Sequence, residues 1–198
     1  MIGGNGSGKS TIARLINGLV TPTTGRVIVD RLDVARHGAA VRRKVGFCFT
    51  DPAAQLVMPT CVEDVELSLR RHEKDGDRRR ERALDVLADY GLDHLADTSV
   101  HALSGGQRQL LALAGVLAVG PEIVVADEPT TLLDLANTRM IGERLYGLSQ
   151  QLVLVTHDLD LVLGCERVLV VHDAAIVFDG PPDEAVGHYR GLVSEGAS

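Results

Sequence analysis

The segment Gly3-Gly4-Asn5-Gly6-Ser7-Gly8-Lys9-Ser10 constrains this chain more than any other feature. It fits the pattern G-x-x-x-x-G-K-[ST] in full and opens a helical stretch from about Lys9 to Leu19. Glycine reaches positive φ without steric cost, so such a loop can wrap closely around an anion. Its amide N–H groups then point inward, and the helix that opens after Gly8 adds the positive end of its dipole. Lys9 brings a full charge to the β- and γ-phosphates of a nucleotide, and the Ser10 hydroxyl suits Mg²⁺.

Short apolar runs alternate with helical patterns along the rest of the chain. Val27–Val29, Val45–Phe49, Ile123–Ala126, Leu152–Val155, Val168–Val171 and Ile176–Phe178 read as strands. Several are apolar at every position, as in strands covered on both faces. Lys9–Leu19, Glu63–Arg71, Arg78–Tyr90, Gly106–Val119 and Leu135–Leu148 read as helices, so the class is α/β. Between Ala54 and Val119 only helices are predicted. The expected organisation is a single domain over 1–198, with a core at about 1–53 and 120–198 and a helical insert at about 54–119. Thr60-Cys61-Val62-Glu63 has the form of a capping box at the start of that insert. The charged run Glu73–Arg82 reads as a solvated helix and turn.

Composition removes several classes of function. The 198 residues carry a net charge of −7. Non-specific nucleic-acid binding draws on phosphate neutralisation, so an acidic chain suits it poorly. Charge alone does not dock it on anionic lipid either. The longest apolar run, Leu110–Val119, is too short to span a bilayer, and the first residues have no signal-peptide pattern. Cys48, Cys61 and Cys165 form no Cys-x-x-Cys pair and read as reduced core residues of a cytosolic protein.

Two further segments carry chemistry. Ile123-Val124-Val125-Ala126-Asp127-Glu128 is an apolar strand ending in two acids. A carboxylate at the end of a buried strand costs desolvation unless a cation partners it. Mg²⁺ shared with Ser10 is that partner, which leaves Glu128 to orient or deprotonate an attacking water. In Leu103-Ser104-Gly105-Gly106-Gln107, Ser104 suits a helix N-cap and the glycines expose backbone N–H groups, making a second anion site. One nucleotide does not reach both loops in a compact monomer unless the helical insert folds over the core. The simpler expectation is a dimer in which this turn meets the γ-phosphate held by the other subunit.

With these three motifs in this order and spacing, the sequence resembles an ATP-binding-cassette (ABC) ATPase over nearly its whole length. The resemblance implies a P-loop NTPase, RecA-like core with a mostly parallel sheet and an inserted α-helical signature subdomain. It implies ATP and Mg²⁺ as ligands, bound by Gly3 to Ser10 with Thr11, and by Ser104, Gly105, Gly106 and Gln107 of a second copy. It places Asp134, in Thr131-Leu132-Leu133-Asp134, in the loop that links two active sites, and His157 at the switch position beside the γ-phosphate.

One position departs from the family. Where a glutamine usually reaches toward Mg²⁺ and the water, this chain has Thr50; Gln55 follows and is a second candidate for that role. The phrase Phe49-Thr50-Asp51-Pro52-Ala53-Ala54-Gln55-Leu56-Val57-Met58-Pro59-Thr60 is similar to ATPases of energy-coupling-factor importers, most of all the biotin-type subunit. That similarity implies work at the cytoplasmic face of the membrane. The partners are a transmembrane coupling protein, a substrate-binding membrane protein and a second ATPase, identical or not, with no nucleic acid. A cobalt or nickel importer ATPase and a nucleotide-binding-deficient regulatory chain are the alternatives. A nucleic-acid machine built on the same cassette would carry coiled coils, zinc modules or duplicated cassettes, none of which is in this sequence.

The family also has a central strand before the phosphate loop and, upstream, an aromatic that stacks on adenine. Here only Met1-Ile2 precede Gly3. Four or five buried apolar side chains are worth on the order of 10 kcal/mol, which is a whole domain's stability. The expectation is therefore that the native protein begins some tens of residues earlier.

Overall fold

The computed structural model describes residues 1–195. Helix α1 (Lys9–Asn17) starts directly behind Gly8, at φ 104°, and stops at Gly18, at φ 70°. Both glycines supply the left-handed backbone at its ends. Its buried residues Lys9, Ala13 and Asn17 form one stripe facing the sheet. An antiparallel pair follows, β1 (Ile28–Val29) and β2 (Leu32–Asp33). Asp33 then caps α2 (Val34–Lys44), its Oδ1 accepting from the N–H groups of Ala35 and Arg36 at 3.0 and 3.2 Å. Hydrophobic periodicity predicts neither β2 nor α2. Only Val34 and Val41 of α2 are buried, and the helix is kinked at His37 (φ −122°, ψ 28°).

Apart from the helices at Leu159–Val162 and Pro182–Glu195, which the apolar pattern does not announce, the remaining elements fall close to expectation. They are β3 (Val45–Cys48), α3 (Cys61–Leu69), α4 (Gly76–Asp89), α5 (Gly105–Leu117), β4 (Ile123–Asp127), α6 (Leu135–Tyr146) and β5 (Gln151–Val155). They continue through α7 (Leu159–Val162), β6 (Val168–His172), β7 (Ala175–Gly180) and α8 (Pro182–Glu195). Ahead of α3, Glu63 Oε2 accepts from both the Thr60 N–H (3.1 Å) and the Thr60 hydroxyl (2.7 Å). Helices α3, α4 and α5 do not keep a core to themselves. Val65, Leu87 and Leu111 belong to the same apolar cluster as Val124 of β4 and Ile141 of α6.

Strands β3, β4 and β5 form a parallel sheet in that order, with Val45 opposite Ile123 and Ile123 opposite Gln151. Four of the five residues of β4 are buried, as a strand covered by helices on both faces requires. Met1 and Ile2 lie between β5 and β6. The Thr156 N–H donates to Met1 O (3.1 Å), Ile2 N–H to Leu169 O (2.9 Å), and Val171 N–H to Ile2 O (2.8 Å). Strands β6 and β7 form a hairpin whose turn residues Asp173 and Ala174 both have positive φ, the backbone of a tight two-residue turn. The carboxyl ends of Met1-Ile2, β3, β4 and β5 therefore open on one edge, where parallel α/β sheets place their ligands.

Candidate functional site

At that edge the phosphate loop is held from beneath. The Ala174 N–H of the hairpin turn donates to Ser7 O at 3.0 Å. Gly3, at φ +154°, is pressed so close to β6 that a Cβ would lie 2.1 Å from Val171 O. Only glycine fits. Lys9 is 6% exposed and donates from Nζ to Gly3 O and Gly4 O, both at 2.9 Å, so the ammonium is already seated in the loop. No side chain caps the first turn of α1, and that turn holds no acid. Its free N–H groups are an anion site as they stand.

The acids of β4 lie opposite. Ser10 Oγ donates to Asp127 Oδ1 at 2.8 Å, and Asp127 is 2% exposed. Burial pushes the Asp127 carboxyl above the usual carboxylate range; the Ser10 hydrogen bond opposes this and does not cancel it. Glu128 follows in left-handed backbone, at φ +53°, an unfavourable conformation for its type, which turns the chain sharply as β4 ends. Its Oε2 is gripped from three sides: by His157 Nδ1 at 2.7 Å, the Thr131 hydroxyl at 3.0 Å and the His157 N–H at 3.3 Å. An ionised carboxylate only accepts, so His157 donates from Nδ1 and keeps Nε2 for a ligand.

An open cleft of about 670 Å³ lies between these groups, lined by Gly3, Gly4, Asn5, Gly6, Lys9, Ser10, Glu128, Thr131, His157 and Tyr189. The structure thus brings the phosphate loop, Glu128 and His157 together around one cleft, with Asp127 directly behind Ser10. It does not bring Ser104, Gly105, Gly106, Gln107 or Asp134 to that cleft. Ser104 instead caps α5: its Oγ accepts the Gln107 N–H (3.3 Å), and Gln107 Oε1 accepts the Ser104 N–H (2.9 Å). Asp134 caps α6 through the Asn137 N–H at 2.9 Å.

Gln55 stands apart from the metal role considered for it. Its Nε2 donates to Ala112 O at 3.0 Å and its Oε1 accepts the Phe49 N–H at 3.3 Å, so both ends of the amide fasten β3 to α5. Thr50 is the nearer of the two to the acids: its hydroxyl donates to Asp127 O at 2.8 Å. Tyr189, which also lines the cleft, escapes a sequence reading because it arrives on α8, which the apolar pattern does not announce. The cysteines are free thiols. Cys48 and Cys61 are buried, with the Cys48 thiol pushed up to about 12 by burial, and Cys165 is half-buried.

The family described as ABC transporter matches residues 1–131. The chain is 44% identical over 194 residues to the biotin transport ATP-binding protein BioM of Rhizobium etli, covering 98% of this chain and 86% of that protein. It superposes on cbiO1 from Clostridium perfringens, part of the ABC transporter complex cbiONQ, with a TM-score of 0.81 at 30% identity, over 98% of this chain and 82% of that one. A dimeric structure of the ATP-binding cassette MJ0796, in a post-hydrolysis state bound to ADP and Pi, gives a TM-score of 0.81 at 33% identity, over 91% and 83%. A cleft of this chemistry, on a chain that matches to this extent, identifies the protein as a member of the ABC transporter family and one of its ATPases.

Proposed function

We propose that this chain is the ATP-hydrolysing subunit of an energy-coupling-factor importer that takes up a vitamin, biotin foremost, through separate membrane proteins. The observation that carries the reading is the pairing of two acids with two partners across one cleft. Ser10 and Asp127 are 2.8 Å apart on the phosphate-loop side, and Glu128 and His157 are 2.7 Å apart on the side where a water would attack. The biotin assignment rests on the BioM resemblance and on the Phe49–Thr60 phrase. No helix among the described residues is long and apolar enough to cross a membrane, which fits a peripheral subunit carried by membrane partners.

The residues suit Mg²⁺. Ser10 and Asp127 offer hard oxygen donors, and among the described residues the buried Asp127 carboxylate accepts one hydrogen bond, from Ser10. Ser10 and Asp127 would hold the ion from the protein side. When bound, Mg²⁺ neutralises charge on the β- and γ-phosphates. The chain does the rest. The amides of Gly4 to Ser10 and the Lys9 ammonium hold the phosphates. Glu128 accepts a proton from the water in line with the γ-phosphate, and Thr131 and His157 fix its carboxylate. His157, which lines the cleft, is left with Nε2 to offer the transferred group.

The turn at Ser104–Gln107 lies outside this cleft, so the proposed working unit is a pair of cassettes, each turn closing the other's nucleotide. The substitution Glu128→Gln keeps the hydrogen-bonding shape and removes the base. It should lower turnover by about 10²–10⁴-fold while ATP still binds; undiminished hydrolysis refutes the role of Glu128. Uptake of labelled biotin that persists unchanged in cells expressing only Glu128→Gln refutes the transport assignment.

A further inference from the structure

Within one chain, the signature turn and the loop that follows the catalytic acid are packed directly against each other. Gly106 is buried, and a Cβ there would lie 2.1 Å from Asn137 Oδ1 and 2.4 Å from Asn137 Cγ. Gly105 faces the same loop, its Cβ position 3.7 Å from Leu133 Cδ2 and 3.8 Å from Leu132 O. The other side of the Asn137 amide is spent on Asp134: Nδ2 donates to Asp134 Oδ2 at 3.0 Å, and the backbone N–H donates to Oδ1 at 2.9 Å. An ordinary helix cap needs only the backbone bond. Here the side chain adds a second bond, occupies the remaining carboxylate oxygen, and wedges its carbonyl end against a glycine that has no room for a methyl group.

A short chain of contacts results. Glu128 accepts from Thr131 at 3.0 Å, the Leu133 N–H donates to Thr130 O at 3.0 Å, Asp134 is clasped by Asn137, and Asn137 abuts Gly106. One end is the base of this chain's own cleft. The other end is the turn that, on the proposed reading, closes the cleft of a second copy.

We propose that Asn137 is a positioning residue that locks the Ser104–Gln107 turn to Asp134, so that one chain's acid and the turn it offers to its partner move as a unit. It touches neither nucleotide nor water and acts through the two segments it joins. This rests on the paired-cassette reading above. The group suits the task because a carboxamide both donates to the aspartate and presents a flat, small face to the glycine.

The test uses the full chain in a Glu128→Gln background, with Mg-ATP, and compares it with the same protein carrying Asn137→Ala. The dimer dissociation constant is read by sedimentation, and the nucleotide affinity of the dilute monomer by a fluorescent ATP analogue. Losing the clasp leaves the turn to be ordered on association, which should weaken the dimer about twofold to tenfold, with monomer affinity unchanged. A dimer as tight as the reference refutes the proposal, and so does an equal loss of monomer affinity, which would mark Asn137 as merely structural. A reference protein that stays monomeric refutes the paired reading and this proposal with it.

A second variant addresses the wedge itself. Gly106→Ala should damage dimerisation, and adding Asn137→Ala should restore part of it by removing the atoms that a methyl group strikes. Damage in the double variant equal to or greater than in Gly106→Ala alone contradicts the contact. Thermal unfolding of each variant separates a failed fold from a failed interface.

Discussion

Asp127→Asn should make the ligand-free protein more stable and the enzyme inactive. The wild-type carboxylate is 2% exposed and receives one hydrogen bond, from Ser10 at 2.8 Å. Burial raises its pKa, so the folded chain holds the proton at pH values where the unfolded chain has released it. Stability therefore falls as pH rises from the unfolded value, about 4, through the raised folded value, and stays lower above it. Asparagine keeps the acceptor for Ser10 and never ionises. Single stabilising substitutions commonly yield about 0.5–2 kcal/mol, or roughly 1–8 °C in Tm for a domain of this size. The assay is thermal unfolding of both proteins from pH 4 to pH 8 without nucleotide, where titrations common to both cancel. The difference should open as pH rises through the window and then hold flat. With Mg-ATP the order should reverse, since a ligand at about 100 times its Kd adds about 2.7 kcal/mol to the wild type. A variant less stable than its parent without ligand, or a difference independent of pH, refutes the argument that this acid is kept at a cost for a cation.

Two further substitutions probe neighbouring parts of the site. Gly3→Ala places a Cβ 2.1 Å from Val171 O and 2.9 Å from Ser7 Oγ in a backbone that disfavours it; it should cost about 1–3 kcal/mol or more in thermal unfolding and weaken nucleotide binding. Gln55→Ala removes the bonds to Ala112 O and the Phe49 N–H. It should cost about 1–3 kcal/mol of stability and leave the Mg²⁺ dependence of hydrolysis unchanged; a shifted metal requirement would restore Gln55 to the metal.

Much of the architecture was legible because burial leaves a mark on composition. β4 and β5 are apolar along most of their length because helices cover both faces, and the loop ahead of α1 needs glycines where backbone meets β6. The α2 segment was hidden: its two buried valines, seven residues apart, are too few to stand out among alanines, arginines and a kink. The α8 segment carried a usable signal, Pro182 at the helix start with Asp183 and Glu184 in the first turn. Tyr189 would have come with it. What the sequence could not state is where flexible amides go. Gln55, in a turn, and Asn137, in the first turn of α6, both look like ordinary polar residues in the sequence. Only the fold sends one to a carbonyl of α5 and the other between a glycine and an aspartate. The three-way hold on Glu128 is equally a product of the chain's return at His157.

The most direct measurement of the central claim is the ATP hydrolysis rate per subunit at saturating Mg-ATP as the protein is diluted. If each cleft is completed by the Ser104 turn of a second cassette, the rate per subunit should climb with protein concentration and then level off. A rate that stays constant down to concentrations where sedimentation finds only monomer would contradict the account.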